Sequence, residues 1–143
     1  AIMSYCAKYS SCFYGPFRSI VGSDKNLQNA DKKTYQMDYR NSKDAIRQAL
    51  LDQEQGADFL IVKPAMSYLD IVNQMAQVVN IPIITYQVSA EYAMIKFAAQ
   101  NNAIDIEEAM FESLISCKRA GSSAIITYFA VDIAKILKES GYR

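Results

Sequence analysis

The sequence predicts an α/β fold in which four parallel strands form a sheet covered by outer helices. Short apolar runs that look like strands alternate along the chain with amphipathic helical segments, and this alternation is typical of a parallel sheet. The runs are apolar throughout, as in strands that are buried on both faces. No domain boundary or low-complexity segment divides the 143 residues, so one domain is expected over 1–143.

The first strand is predicted at residues 1–8, and a polar segment follows it at about 9–41. A two-residue period places every second side chain of the strand on one face, namely Ile2, Ser4, Cys6 and Lys8. The polar segment is long for a connection in a compact domain and carries interleaved aromatic residues. These features are typical of a lid over an active site, and disorder is the alternative interpretation.

A helix at about 43–55 and a second strand at 59–62 come next. Ser42 or Asn41 can cap the start of this helix, and Gly56 can end it. Its apolar stripe repeats at helical spacing and consists of Ala45, Ile46, Ala49 and Leu50.

A helix at about 67–79 precedes a third strand at 83–88, and Ser89 is predicted to cap the helix after that strand. The first of these two helices is expected to bury Ile71, Val72, Met75 and Val79. The second is expected to bury Ala93, Met94, Phe97 and Ala98.

The end of the chain predicts a helix, a fourth strand and a last helix. Asp105 and Glu108 have the spacing of a capping box and start the first helix, which runs to about residue 119. Its stripe consists of Met110, Leu114 and Cys117. Gly121 separates it from a strand at 124–129, and the last helix is expected at about 131–139.

Four strand–helix units can form a small doubly wound domain or one half of an eight-stranded barrel, which typically needs about 250 residues. Two features favour the half barrel. The chain begins within a strand, and polar residues fall at the carboxyl ends of strands, where barrel active sites lie. Such a half is expected to have two open sheet edges and an inner apolar face that includes Ile61, Ile83 and Ile126.

Composition argues against several classes of function. The 15 basic and 15 acidic side chains balance, so neither nucleic acid nor an anionic membrane is expected as a partner. No apolar run reaches the length of a membrane span, and no signal peptide is visible. Three cysteines without a CxxC pair fit a reducing, cytoplasm-like compartment, with an organelle as the alternative. The chain has no histidine, which excludes a Ser-His or Cys-His nucleophile pair within it.

Lys8 and Lys63 each end an apolar strand, where lysine is unusual unless its amine has a function. Burial and a nearby second cation both lower the pKa of an ammonium group, and a neutral amine can attack a ketone or aldehyde to form a Schiff base. Two such lysines on neighbouring strands could hold two carbonyl substrates. For either lysine alone, the alternative is a strand-end charge that lies in solvent.

Ser89 and Tyr128 are expected at the carboxyl ends of the third and fourth strands, on the same side as the two lysines. Free N–H groups at a helix start suit a carboxylate, and a tyrosine hydroxyl can donate to the same anion. The alternatives are a simple N-cap and a rim residue.

The predicted lid is basic and could capture an anionic substrate on closure. Its basic residues are Arg18, Lys25, Lys32, Lys33 and Arg40. A solvated charged loop is the alternative.

Five motifs together resemble the porphobilinogen synthase family, whose members are also called δ-aminolevulinic acid dehydratases. They are SYCAKYSSCFYGPFR at 4–18, KTYQMD at 33–38, GADFLIVKPAMSYLDI at 56–71, YQVSAEYAMIKFAAQN at 86–101 and ESLISCKRAGSSAIITYFA at 112–130. The resemblance covers essentially the whole chain. It implies that the four strands are strands five to eight, the second half of the family's (β/α)8 barrel.

The resemblance implies a lyase (a hydro-lyase) that condenses two molecules of 5-aminolevulinate to porphobilinogen, a precursor of haem and other tetrapyrroles. Lys63 matches the lysine that forms the Schiff base with the first substrate, and Lys8 matches the second lysine. Ser89 and Tyr128 match the residues that hold the carboxylate of the first substrate. The remaining matches are the lid positions Arg18, Lys32 and Gln36 and the apolar walls Tyr86 and Phe13. The resemblance also implies a homo-octamer without an organic cofactor.

The sequence departs from the family pattern in ways that bear on metals. The family's metal-binding loop lies in its first half, so zinc or magnesium would bind through residues that this chain lacks, and no metal ligand is expected within it. Gln48 stands where magnesium-stimulated bacterial members usually carry glutamate. Because a neutral amide is a weak ligand for hydrated magnesium, allosteric magnesium is not expected. Lys32 stands where many members have arginine, which argues against a bidentate grip at that position.

Two other hypotheses stay open at this point. The first is another Schiff-base barrel enzyme, such as a class I aldolase, although the second lysine and the aromatic lid argue against it. The second is a half barrel that works only when paired with a complementary half, since its edge strands expose unpaired backbone groups. If the chain is a part of a porphobilinogen synthase, the 143 residues alone are expected to be inactive.

Overall fold

The computed structural model describes residues 1–15 and 34–141 and contains a four-stranded parallel sheet whose strands follow the order of the chain. The strands are β1 (Met3–Lys8), β2 (Phe59–Lys63), β3 (Ile83–Tyr86) and β4 (Ala124–Ile126). The helices are α1 (Lys43–Glu54), α2 (Leu69–Ala76), α3 (Ser89–Gln100), α4 (Ile106–Ala120) and α5 (Ala130–Glu139). Short 3-10 turns occupy Cys12–Tyr14 and Met66–Tyr68. The predicted parallel α/β fold is therefore confirmed, with a shorter fourth strand than expected.

The first strand contains an irregularity that the two-residue period did not predict. Ser4 pairs with Leu60 and Ala7 pairs with Val62, so β1 uses one more residue than β2 between the two pairs. Partners in register share a face of a parallel sheet, and an extra residue reverses the alternation beyond it. The prediction that Ser4 and Lys8 share a face is therefore wrong. Ser4 faces α1, where its hydroxyl donates to Asp52 at 2.5 Å.

The main apolar core lies between the sheet and the helices α1 and α2. Its fully buried members come from both layers and include Ala7, Ala45, Leu60, Val72 and Met75. The helical period is confirmed by the predicted stripe residues of α1 and α2 that are buried here, namely Ala45, Ala49, Ile71, Val72 and Met75. Leu50, also predicted in the stripe of α1, is exposed. The helix predicted to end at residue 79 ends at Ala76 instead.

Helix starts are held by carboxylates and an amide. The Asp105 side chain accepts a hydrogen bond from the backbone N–H of Glu108 at 2.9 Å, which confirms the predicted cap of α4. At α1, the Asn41 side-chain oxygen accepts from the N–H groups of Lys43 and Asp44, while Ser42 makes no cap bond. Of the two predicted alternatives, Asn41 is the one that caps.

The predicted stripe of α3 is wrong. Met94 and Phe97 are exposed, whereas Glu91 and Ile95 are the buried residues of this helix. The helix lies against α4 and the turn at Cys12–Tyr14, so the face it buries is set by those neighbours. Apolar side chains at helical spacing did not identify that face, because a carboxylate occupies part of it.

The inner face of the sheet, which the helices do not cover, is buried at its centre and exposed at its margins. Ile61 and Ile84 pair in register and are buried, whereas Tyr5 of β1 and Ile126 of β4 are exposed. Ile83 was expected on this face, but it pairs with Leu60 and packs in the core against the helices. Within the described residues, no helix is long and apolar enough to cross a bilayer.

Candidate active site

Lys8 and Lys63 are register partners at the carboxyl ends of β1 and β2. The predicted adjacency of the two lysines is therefore confirmed, and the irregularity in β1 is what brings Lys8 to the face of Lys63. Their amino groups lie 5.7 Å and 5.6 Å, respectively, from the centre of the Tyr5 ring. One aromatic side chain thus contacts both amines.

Aromatic rings surround the Lys63 amine. Its Nζ lies 3.7 Å from the centre of the Tyr86 ring and 5.7 Å from that of Tyr14. The Tyr14 hydroxyl also donates to the backbone carbonyl of Lys63 at 3.1 Å, so one side chain holds both ends of this residue. Such rings exclude water from the amine and attract its charged form. Tyr86, which was predicted as an apolar wall, is the closest of them.

Burial, and after it the neighbouring charge of Lys8, lowers the pKa of Lys63 to about 8. At pH 7 such an amine is neutral in roughly one molecule in ten, against roughly one in a few thousand for an ordinary lysine. The two causes are those expected of a Schiff-base lysine, since burial and a second cation both disfavour the ammonium form. The geometry therefore provides a nucleophilic amine beside a second amine.

Tyr128 lies beyond the end of β4 and is linked to the lysine site through Tyr86. Burial and the neighbouring Tyr128, with which it shares a hydrogen bond, raise the pKa of Tyr86, so the Tyr86 hydroxyl is protonated at neutral pH. The Tyr128 ring lies 5.6 Å from that of Tyr92, centre to centre. The described residues therefore form a continuous chain of contacts from Lys8 through Lys63 to Tyr128.

Ser89 is the first residue of α3, on the strand end next to that of Lys63, but it is not the cap of the helix as predicted. The cap position is Val88, and its N–H donates to the carboxylate of Glu91 at 2.7 Å. Ser89 remains half-buried at the predicted strand end. Its predicted role toward a substrate carboxylate does not depend on capping.

Phe13 and Gln36 lie in the described parts of the polar segment, near its two ends. Phe13 belongs to the turn that contacts α3. Residues around Gln36 return to the sheet, where the N–H of Met37 donates to the carbonyl of Lys8 at 2.9 Å. Within the part of the chain that the structure describes, the side-chain oxygen of Gln36 is buried without a hydrogen-bond partner. An unpaired buried acceptor on the residue before Met37, whose backbone bonds to Lys8, is suited to a donor from a ligand.

The remaining predicted lid residues are only partly placed. Arg18, Lys25, Lys32 and Lys33 lie outside the described residues. Arg40 is exposed and forms an ion pair with Asp38, with 2.5 Å between Nη2 and Oδ2. The pKa of Asp38 is accordingly lowered to about 2 by its hydrogen bonds to Arg40. Arg40 is thus engaged locally, as a solvated loop charge would be.

Glu91 is the residue of this region that sequence reasoning missed. Its carboxylate is fully buried and accepts hydrogen bonds from the N–H groups of Ala65 at 3.2 Å, Met66 at 2.6 Å and Val88 at 2.7 Å. A glutamate at the third helical position is the usual partner in a capping box. That spacing was present in the sequence, but the first member of the box is valine.

Metal ligands are not assembled in the described part of the chain, where no group of three or more aspartate, glutamate or cysteine side chains could hold an ion. Gln48 donates through its amide nitrogen to Asp52 at 2.6 Å. The amide thus presents a donor to a carboxylate, where a divalent cation would need another oxygen. The donor set at Gln48 therefore does not fit magnesium, and the expectation about allosteric magnesium stays a prediction.

Comparison with known proteins identifies the family. A sequence model described as "Delta-aminolevulinic acid dehydratase" matches residues 1–136. The chain belongs to this family. It is 55% identical over 140 residues to the delta-aminolevulinic acid dehydratase of Escherichia coli (strain K12), covering 96% of this chain and 42% of that protein. It is 53% identical over 138 residues to the Bacillus subtilis (strain 168) dehydratase, again covering 96% of this chain and 42% of the relative.

A solved structure of the family has the same fold over nearly the whole chain. The crystal structure of delta-aminolevulinic acid dehydratase (porphobilinogen synthase) from Toxoplasma gondii ME49, in complex with the product porphobilinogen, matches with a TM-score of 0.93 and 44% identity. The match covers 97% of this chain and 39% of that one. The chain therefore spans about two fifths of the length of these relatives, and its four strands correspond to part of a barrel.

Proposed function

We propose that this chain carries the Schiff-base lysines of a porphobilinogen synthase, which condenses two molecules of 5-aminolevulinate. The observation that carries the proposal is the register pairing of Lys8 with Lys63, together with the lowered pKa of Lys63. Two amines on one face, one of them partly neutral at pH 7, suit the attack on two ketones. The relative from Toxoplasma gondii is described with porphobilinogen bound, which supports the same product here.

In this proposal Lys63 binds the first substrate. Its neutral amine attacks the ketone carbon, and loss of one water from the resulting carbinolamine leaves an imine. Ser89 and Tyr128 hold the carboxylate of this substrate, and Tyr86 and Phe13 form apolar walls. The ring of Tyr86, 3.7 Å from Nζ, stabilises the cationic imine by the same attraction that it exerts on the ammonium.

The second substrate binds at Lys8 in the same manner, by imine formation. The unpaired oxygen of Gln36 accepts a hydrogen bond from it, and Arg18 and Lys32 contact its carboxylate. A carbon–carbon bond and a carbon–nitrogen bond then join the two substrates. Both lysines are released as free amines, and two molecules of water leave overall, so the balance is that of a hydro-lyase.

The activity is proposed for the complete protein, because the chain spans about two fifths of its relatives. We propose that this protein is a cytoplasmic homo-octamer, that its strands are the second half of the barrel, and that zinc or magnesium binds outside this segment.

The membership of the family argues against the aldolase hypothesis. The exposed margins of the sheet, at Tyr5 and Ile126, favour the hypothesis that the chain alone is inert and works only with a complementary half.

The test is to trap the imine in the full protein that carries this chain. Borohydride is added in the presence of 5-aminolevulinate, and peptides are mapped by mass spectrometry. A reduced adduct is expected at Lys63, and a second at Lys8 at high substrate concentration. Exposed Lys118 serves as the internal control and should remain unmodified. If the Lys63 peptide carries no adduct, the proposed function is wrong.

A further inference from the structure

The buried carboxylate of Glu91 joins two loops of the site. One oxygen accepts from Val88 and Ala65, and the other accepts from Met66. Burial raises the pKa of Glu91, while these backbone donors oppose the rise. Three N–H groups that meet on one fully buried carboxylate hold the loops at a defined distance, because each would otherwise be a buried donor without a partner.

These loops follow the two strands that carry the first-substrate site. Ala65 is separated from Lys63 only by Pro64, and the peptide bond after Val88 leads directly into Ser89. Peptide groups are planar and rigid, so a fixed N–H group limits the movement of its neighbours. The spacing between the ends of β2 and β3 is therefore controlled from the side of the helices, by a residue that lies behind the site.

We propose that Glu91 is a positioning residue that sets the distance between the Lys63 amine and the Ser89 hydroxyl, and thereby selects a ketone that carries a carboxylate over a ketone that lacks one. The inference rests on the proposed function, in which Lys63 takes the ketone and Ser89 the carboxylate of one molecule. A molecule bound at both ends is sensitive to the distance between its two anchors. A displacement of about 1 Å can cost on the order of 100-fold in such an arrangement.

Glu91 acts through the backbone and not through its charge on the amine. The causes of the lowered pKa of Lys63 are burial and Lys8, and Glu91 is not among them. Substitution should therefore change which ligand is preferred and leave the pH dependence of the amine in place. This separates a positioning role from a direct electrostatic one.

The experiment compares two ketones in the full protein that carries this chain. Levulinate has the ketone and carboxylate of the substrate without its amine, whereas butanone has no carboxylate. Each is trapped on Lys63 with borohydride, and the ratio of their half-saturating concentrations measures selectivity for the acid. The variants are Glu91→Gln, which replaces one acceptor oxygen by a donor, and Glu91→Asp, which keeps the charge but shortens the side chain.

Ser122→Ala is the matched control. Its hydroxyl is also buried and makes several hydrogen bonds, to Thr85 at 3.1 Å and to the carbonyl of Ala124 at 2.6 Å, but it lies away from both loops. All three variants should lower Tm. Only the Glu91 variants should lose selectivity, by about 10- to 100-fold for Glu91→Gln and less for Glu91→Asp. The pH midpoint of labelling should stay near that of the unmodified protein.

The outcomes separate the two proposals. If the unmodified protein is not labelled at Lys63 by levulinate, the proposed function fails and this inference fails with it. If the unmodified protein is labelled selectively and both Glu91 variants keep that selectivity, only the positioning role is overturned. Equal loss of selectivity in Ser122→Ala would also overturn it, because general destabilisation would then explain the effect. If Glu91→Gln does not fold, the selectivity of Glu91→Asp alone decides whether Glu91 has the positioning role.

Discussion

The ends of β2 and β3 are held differently from the end of β4. Behind Lys63 and Ser89, a fully buried carboxylate collects backbone N–H groups from both loops. At the end of the short strand β4, Tyr128 is 44% exposed. The hydroxyl of the neighbouring Thr127 donates a hydrogen bond of 2.6 Å to buried Gln87, the residue that follows β3. The comparison teaches that Lys63 and Ser89, which are proposed to bind the two ends of the first substrate, follow loops that are fixed by buried polar contacts. Tyr128, the other group proposed for the carboxylate, lies at an exposed margin.

The largest effect is expected from the lysine at the centre of the tightly held region. Lys63→Arg keeps the positive charge but removes the amine nucleophile, so turnover of 5-aminolevulinate in the full protein should fall by more than about 1,000-fold. Steady-state kinetics measures this loss. Lys118→Arg, at an exposed lysine that donates to a backbone carbonyl, is the control and should keep normal activity. Substantial turnover by Lys63→Arg would remove this lysine from the mechanism.

The next largest effect is expected on stability, when a side chain in the core under the central strands and one at the open margin of β4 are each truncated to alanine. Met75→Ala removes a fully buried side chain and should lower the free energy of unfolding by about 2–5 kcal/mol. Ile126→Ala removes a side chain that is 37% exposed and should cost less than about 1.5 kcal/mol. Denaturant unfolding of the 143-residue chain measures both. Equal costs in this chain would contradict the comparison between the buried core and the exposed margin.

The link between the two regions is expected to have an intermediate effect. Thr127→Val keeps the shape of the side chain but removes the hydroxyl that donates to Gln87 and accepts from the N–H of Phe129. Leaving buried polar groups unpaired should cost about 1–3 kcal/mol of stability. Thr127→Ser keeps the hydroxyl and should cost less. The comparison fails if the two variants are equally stable in thermal unfolding.

The smallest effect concerns the charge of Lys8. The neutral fraction of the Lys63 amine rises with pH through its pKa of about 8, so labelling by levulinate and borohydride should rise between pH 7 and pH 9. Lys8→Met removes a like charge, which raises the pKa of Lys63 and moves this midpoint upward. Labelling at pH 7 should then fall by roughly two- to tenfold. An unchanged midpoint would leave burial as the only cause of the lowered pKa.

Local patterns were enough to predict much of the fold and part of the site. The alternation of apolar runs with amphipathic segments predicted the parallel sheet, and the cap at Asp105 was visible from spacing alone. The strand-end placement of Lys8 and Lys63 predicted their adjacency, because parallel strands bring their carboxyl ends to one edge. The motifs around these lysines predicted the family.

Tertiary structure decided the features that depend on distant partners. The extra residue in β1 is defined only by its register against β2, and without it Lys8 would face the helices with Ser4. The buried face of α3 follows from Glu91, whose partners Ala65 and Met66 lie 26 and 25 residues away in the chain. A two- or 3.6-residue period describes one element at a time. Register and buried hydrogen bonds depend on pairs of elements. The sequence by itself therefore determined the order of the strands and helices and the family, whereas the packed structure decided which side chains meet.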